Sequence, residues 1–437
     1  MTKQIFSRFV ESLPGPHDIH RKVLSNGIKI LTRSNFNSAS VVVAGMLGAG
    51  SLFDPVDKLG LAHFTSLALM RGTQNVSFQN IFEKLESAGA SLGFGASVHN
   101  TSFSGRALVE DLPMLVETMA DCILHPVFPA QYFERLKAQL LTGLAIRAQD
   151  TGDMASMTFD KLLFPNHPYG FPEDGYPETI NAITRQDIID FHRINYGPEK
   201  MVVVVVGAIE PESVFDLFEK TLGSWKNHLP APFPTLSPVI APQKTTRTHI
   251  DIKGKSQADL ILGTLGPKRL APEYLAASIG NNILGQFGMM GRIGDAVREK
   301  AGLAYYASTS VNSWIEAGSW EVSAGVNPKN INKAIDLIIK ELTRFCAEPV
   351  TESELEDSKS NYIGRLPLSL ESNAGVANSI LNLERFDLGL DYLQRYPTMV
   401  SAVTPSHILE AAQKYIDPKN LVIVSAGSEA GKVGNGH

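Results

Sequence analysis

Cysteine is almost absent. Only Cys122 and Cys346 occur among 437 residues, in opposite halves of the chain, which excludes a disulfide-stapled framework. Both stand in apolar helical contexts and are expected as free, buried thiols. No apolar stretch approaches the ~20 residues a spanning helix needs. The longest, residues 201–209, reads as a buried strand. No lysine or arginine run exceeds a pair, and the net charge is −6 with a pI near 6.0. That leaves no electrostatic footprint for nucleic acid or an anionic membrane. The N-terminal stretch has no apolar segment of signal-peptide length and carries Arg8 and Glu11 early. A cytoplasmic location is expected, or a periplasmic one had a leader been removed.

What is present is ample material for several cores, 43% hydrophobic against 19% charged residues. The chain repeats itself. Thr184/Thr404, Ile188/Ile408, Pro198/Pro418 and Gly207/Gly427 match at a constant offset of 220. In both copies a threonine N-cap opens an amphipathic helix, proline stops it and an aliphatic strand follows. A second echo pairs the strand-like residues 40–50 with 258–266. Pro230, Pro232, Pro234, Pro238 and Pro242 mark an extended tether between the copies. The division expected is residues 1–228, a linker at 229–246, and residues 247–437. Helical patterns at 77–88, 111–123, 331–345 and 352–364 alternate with strands joined by short turns. This predicts an α+β protein of two homologous domains, each a mainly antiparallel sheet with helices packed on one face.

The chemistry-bearing stretch is Gly60-Leu61-Ala62-His63-Phe64-Thr65-Ser66-Leu67. An inverted zincin would read His-x-x-Glu-His here, two imidazoles one helical turn apart with a glutamate base beside them. His63 is present, but Ser66 stands at the base position and Leu67 at the second ligand. A catalytic zinc needs three protein ligands plus water, so the chain alone is expected not to hydrolyse peptides. His63 reads as a packed, hydrogen-bonded histidine on an apolar stripe with Leu59, Leu67 and Met70. No metal ligand is assigned, and His17, His20, His125 and His167 receive no role.

Over nearly its full length the chain resembles the pitrilysin-like zinc peptidases, in particular the two-domain subunits that pair in processing peptidases and in bacterial two-subunit enzymes. The stretches that carry the resemblance are residues 24–31, 48–51, 60–63, 81–92, 292–305 and 366–372, in that order and spacing. The resemblance implies a third zinc ligand, a glutamate, at the position of Gly143, with Leu136 at a supporting glutamate. It also implies an arginine and a tyrosine seven residues apart, matched by Arg298 and Tyr305, which reach a partner's active site beside the scissile bond. A guanidinium and a phenol can hold the substrate carbonyl and the developing oxyanion; read without the family, Arg298 would pair on a helix surface and Tyr305 would pack in a strand. Tyr306 should point to the opposite face.

Gly93, Phe94, Gly95, Ala96 and Ser97 correspond to an edge strand that a peptide can extend by main-chain hydrogen bonds, or are an ordinary sheet strand. Phe94 and Gly93 replace a polar pair of the family. The segment from Leu284 through Gly285 and Gly288 resembles the family's glycine-rich loop, either a methionine-lined substrate contact or a turn leading into a helix. It lacks the Gly-Lys-Ser/Thr of a phosphate loop. The function implied is that of the non-metal-binding subunit of a heterodimeric zinc endopeptidase. It would carry no cofactor of its own, with zinc in a homologous partner that keeps His-x-x-Glu-His, and would bind peptide or unfolded polypeptide. The alternative is a non-proteolytic structural subunit of a larger complex.

Overall fold

A computed structural model of the protein describes residues 10–226, 234–288 and 291–428. Six strands, β1 (His20–Val23), β2 (Lys29–Ser34), β3 (Ser40–Leu47), β4 (Ser91–Ala96), β5 (Thr101–Leu108) and β6 (Val202–Gly207), form one sheet in the order β1-β2-β6-β3-β5-β4. Five more, β7 (Thr246–Asp251), β8 (Ala258–Gly266), β9 (Ala304–Ser313), β10 (Gly318–Val326) and β11 (Val422–Gly427), form a second in the order β7-β11-β8-β10-β9. Every pairing is antiparallel except β2 with β6 and β7 with β11. The expected α+β class of two homologous copies is therefore what the chain adopts.

The repeat seen in the sequence is physical. Helices Arg185–Asn195 and Pro405–Tyr415 each open on a threonine whose hydroxyl accepts from the backbone N–H three residues on, Asp187 and His407 respectively. Each is followed by a fully buried strand, β6 or β11, lying between a parallel and an antiparallel neighbour. The unbroken aliphatic run of β6 follows from burial on both faces, which removes any reason for alternating polarity. Val203 and Val205 join the main core with Ile30, Val41 and Val43. Val202, Val204 and Val206 face the other way with Leu31 and Val42.

That second face of β6 explains a departure from a simple split at the proline-rich stretch. The chain forms two compact units that are discontinuous in sequence. One comprises residues 1–144, 172–235 and 366–395, the other residues 145–171, 236–365 and 396–437. In the first, Val376, Ala377 and Ile380 of helix Asn373–Arg385 cover β6 and β3. The helix is clamped at both ends. The Asn373 amide donates to the Ser40 carbonyl at 2.9 Å, and Glu384 takes Arg21 at 3.0 Å and Lys29 at 2.8 Å. In the second unit the helix Thr151–Leu163 packs on β8 and β11, burying Ala155, Phe159 and Leu163. Each copy thus receives one helix encoded in the other half, which contiguous boundaries at 228 and 247 do not anticipate. Amphipathic spacing shows which face of a helix is buried, not which sheet covers it.

Pro234, Pro238 and Pro242 lie in backbone without regular structure, whereas Pro230 and Pro232 lie outside the described residues. Both cysteines are free, Cys122 buried and Cys346 partly so.

Candidate functional site: the His63 helix and the Arg298/Tyr305 element

His63 lies on the short helix Leu61–Ala68. Gly60 starts this helix at a φ of 96°, a left-handed conformation suited to glycine. A side chain there would also strike Ile180 at 2.6 Å. The buried carboxylate of Asp54 accepts from the N–H groups of Gly60 at 2.9 Å and Ala62 at 2.8 Å, and so holds the first turn from outside the helix. Burial pushes the Asp54 carboxyl up to about 8, against the pull of these N–H groups. Sequence reading missed Asp54, because its partners lie six and eight residues away rather than at cap spacing.

The positions at which the resemblance implies metal ligands are occupied by packing. The Ser66 hydroxyl donates to the His63 carbonyl at 2.7 Å, so it is consumed by its own helix. Leu67 packs against the core. The His63 ring is half-buried, and among the described residues nothing hydrogen-bonds it, contrary to the bonded histidine expected. Burial lowers its pKa, with the Asp174 carboxylate pulling the other way. Phe64, on the far side of the helix, stacks on Phe133 at 5.0 Å and 4°. This pins the helix to Ala130–Arg147, the helix that carries Gly143. Gly143 is exposed, with nothing within 4 Å of where a Cβ would stand. A glutamate would fit there, but the chain supplies none. One imidazole, a hydroxyl bonded to backbone, a leucine and a glycine are not a zinc donor set. Among the described residues no group of three or more His, Cys, Asp or Glu could hold a metal.

β4 is an edge strand, paired only with β5. Its Leu92, Phe94 and Ala96 pack on the core, while the open space above Gly93 and Gly95 leaves the opposite face flat. Phe94, in register with Phe103 across the pair, is therefore a packing residue. Ser97 turns back to Asn100, donating to its carbonyl. Glu173 accepts from the Val98 N–H at 3.1 Å, tying this tip down, and burial raises its pKa.

In the second unit the chain before β9 winds through a single π-turn, Asp295–Glu299, a local widening that is frequent at functional positions. Val297 is buried and anchors it, and the Leu303 N–H returns to the Val297 carbonyl at 3.0 Å. Gly302, at a φ of 62°, makes the reversal possible. Arg298 is about one-third exposed (35%) and lies 3.6 Å from Glu299, a loose pairing on the surface. Tyr305 opens β9, the edge strand, and is 65% exposed.

Tyr306 faces the opposite way. Its hydroxyl donates to Asp259 at 2.7 Å, and burial, with that carboxylate beside it, raises its pKa. The ring passes over Gly325, where a Cβ would lie 2.5 Å from it. Asp259, buried on β8, also takes the Thr151 hydroxyl and the Gln257 amide. This network was not legible in the sequence, since its members come from three separate segments. Gly285 is not on the surface: it packs against Thr309 of β9, where a Cβ would lie 2.4 Å from the hydroxyl. That removes it from a substrate-facing role. Gly288 is exposed, and Met289 and Met290 lie outside the described residues.

The first α+β unit carries the His63 helix and the second the exposed Arg298/Tyr305 element, each where the resemblance implies the parts of a metallopeptidase. The profile described as Insulinase (Peptidase family M16) matches residues 29–156, and the Peptidase M16 inactive domain matches residues 182–362. The chain belongs to the M16 peptidase family. It is 26% identical over 362 residues to a zinc protease of Mycobacterium leprae, covering 81% of this chain and 79% of that protein. To the beta subunit of the mitochondrial-processing peptidase of Saccharomyces cerevisiae it is 26% identical over 401 residues, covering 87% and 84%. A peptidase M16 inactive domain from Pseudomonas fluorescens superimposes with a TM-score of 0.88 at 25% identity, covering 94% of this chain and 98% of that one. A Helicobacter pylori protease shares the fold, with a TM-score of 0.86 at 21% identity, covering 95% and 100%.

Proposed function

We propose that this chain is the metal-free subunit of a two-subunit zinc endopeptidase. Its partner is a homologous chain that keeps His-x-x-Glu-His and carries the zinc. This chain completes the enclosure around an unfolded peptide, offers β4 as a docking edge, and supplies Arg298 and Tyr305 to the partner's reaction centre. One observation carries the reading: the helix at the place of the family's metal motif is formed but keeps only His63 of that motif, while Arg298 stays at the surface of the π-turn and Tyr305 stands exposed on the edge strand that follows. A guanidinium and a phenol need no metal of their own. They bind the substrate carbonyl and stabilise charge that develops as the partner's water attacks.

The test is turnover by the mixed subunits. The mixture should cleave an unstructured peptide where this chain alone does not, and Arg298→Ala should lower kcat/KM by about 10²-fold without loss of assembly. A purely structural subunit would instead lose complex stability with turnover per complex unchanged.

A further inference from the structure

The first unit contains a cavity of about 530 Å³ that does not include β4, His63 or Gly143 and meets the positions implied for the metal site only at Leu136. It opens between Arg71, which follows the His63 helix, Phe78, and one flank of helix Ala130–Arg147. Two guanidinium groups, Arg71 and Arg135, face it. Among the described residues neither makes an ion pair. Arg135 has Gln131, Tyr132, Ala138 and Gln139 at its helical neighbour positions, so no carboxylate lies at pairing distance along its own helix. The Arg71 Nε is buried and bonded to nothing. Its guanidinium lies over the Phe78 ring at 4.9 Å, and Phe78 in turn leans on Tyr132 at 4.7 Å. Burial and the facing Arg135 charge both pull the Arg71 pKa below its ordinary value.

Two like charges converging on one hollow, with a buried N–H unspent, are an arrangement that an anion would relieve. The walls narrow the choice. A compact inorganic anion would fill little of 530 Å³ and leave the half-buried rings of Phe78 and Tyr132 against water. Gln139, on the rim, has a side-chain amide with no partner among the described residues and can pair with a peptide group.

We propose that this cavity binds the C-terminal residue of a peptide, its carboxylate between Arg71 and Arg135 and its apolar side chain against Phe78 and Tyr132. The site lies wholly in the first unit and stands whether or not the chain serves a peptidase.

The test is calorimetric titration of the full chain with N-acetyl-phenylalanine, its C-terminal amide, octanoate and inorganic phosphate. The free acid should bind saturably, with the amide, octanoate and phosphate each weaker by at least about tenfold. Arg135→Gln, on an exposed side chain, should weaken the acid about tenfold with an unchanged Tm, and Arg71→Lys should do so while keeping the charge. Equal binding of acid and amide, no saturable binding, or an unaffected Arg135→Gln variant would overturn the site. Tighter binding of octanoate would overturn the peptide assignment, and tighter binding of phosphate the apolar one.

Discussion

Asp54 shows how a single carboxyl can carry a pH dependence for the helix it caps. Its folded value near 8 stands above the ordinary 3.8, so between those limits the folded state holds a proton that the unfolded chain releases. Stability from this group is full below the lower value and is lost as pH rises through the upper. Thermal melts across that window should show a Tm that falls with rising pH, and Asp54→Asn should flatten the slope. What stands at the metal positions the resemblance implies can be read residue by residue, because the motif is local: His63, Ser66 and Leu67 sit within five positions. Gly143 needed the family spacing as well. Asp54 and Asp259 were not legible, since what defines them is who bonds them, and those partners come from elsewhere in the chain.

Among the elements, the short segment ahead of β9 depends on one ion pair. Arg292 donates to both oxygens of Glu354 at 2.7 Å and is 11% exposed, so it anchors the stretch that leads into the π-turn bearing Arg298. This pairing holds the Glu354 carboxyl down to about 2. Its contribution is present above the ordinary 4.5 and is lost as pH falls toward that lower value. Glu354→Ala leaves Arg292 without its partner and should cost about 2 kcal/mol at neutral pH, discounted for the exposure of Glu354. Denaturant melts at pH 7 and pH 3 would check it, with the deficit smaller at the lower pH. Strand and helix positions read well from the sequence because their causes are local, namely threonine caps, prolines and aliphatic runs. Placement in a sheet did not. That β4 and β9 are both edges, each next to the strand paired with β3 or β8, depends on pairings far apart in sequence.

For the whole molecule, the exchanged helices set what can be separated. Residues 1–228 made alone would keep β6 but lack helix Asn373–Arg385, and would leave Val202, Val204 and Val206 facing water. Residues 247–437 alone would lack helix Thr151–Leu163. Each half expressed singly should aggregate or bind a hydrophobic dye, whereas co-expression should return soluble material. Fragments cut instead so that each sheet regains its helix should fold better, and a soluble, cooperatively melting residue 1–228 fragment would contradict this. Duplication was visible in the repeat at 220; the exchange was not, since identical patterning on two copies cannot say which copy a helix serves.

That reciprocity has an evolutionary edge. Once each sibling copy came to rely on the other's helix, deleting either would have left the survivor half-clothed and prone to clump. A gene doubled in this way cannot be halved again by simple truncation. Individual side chains could change, but the polypeptide that bore them had to stay.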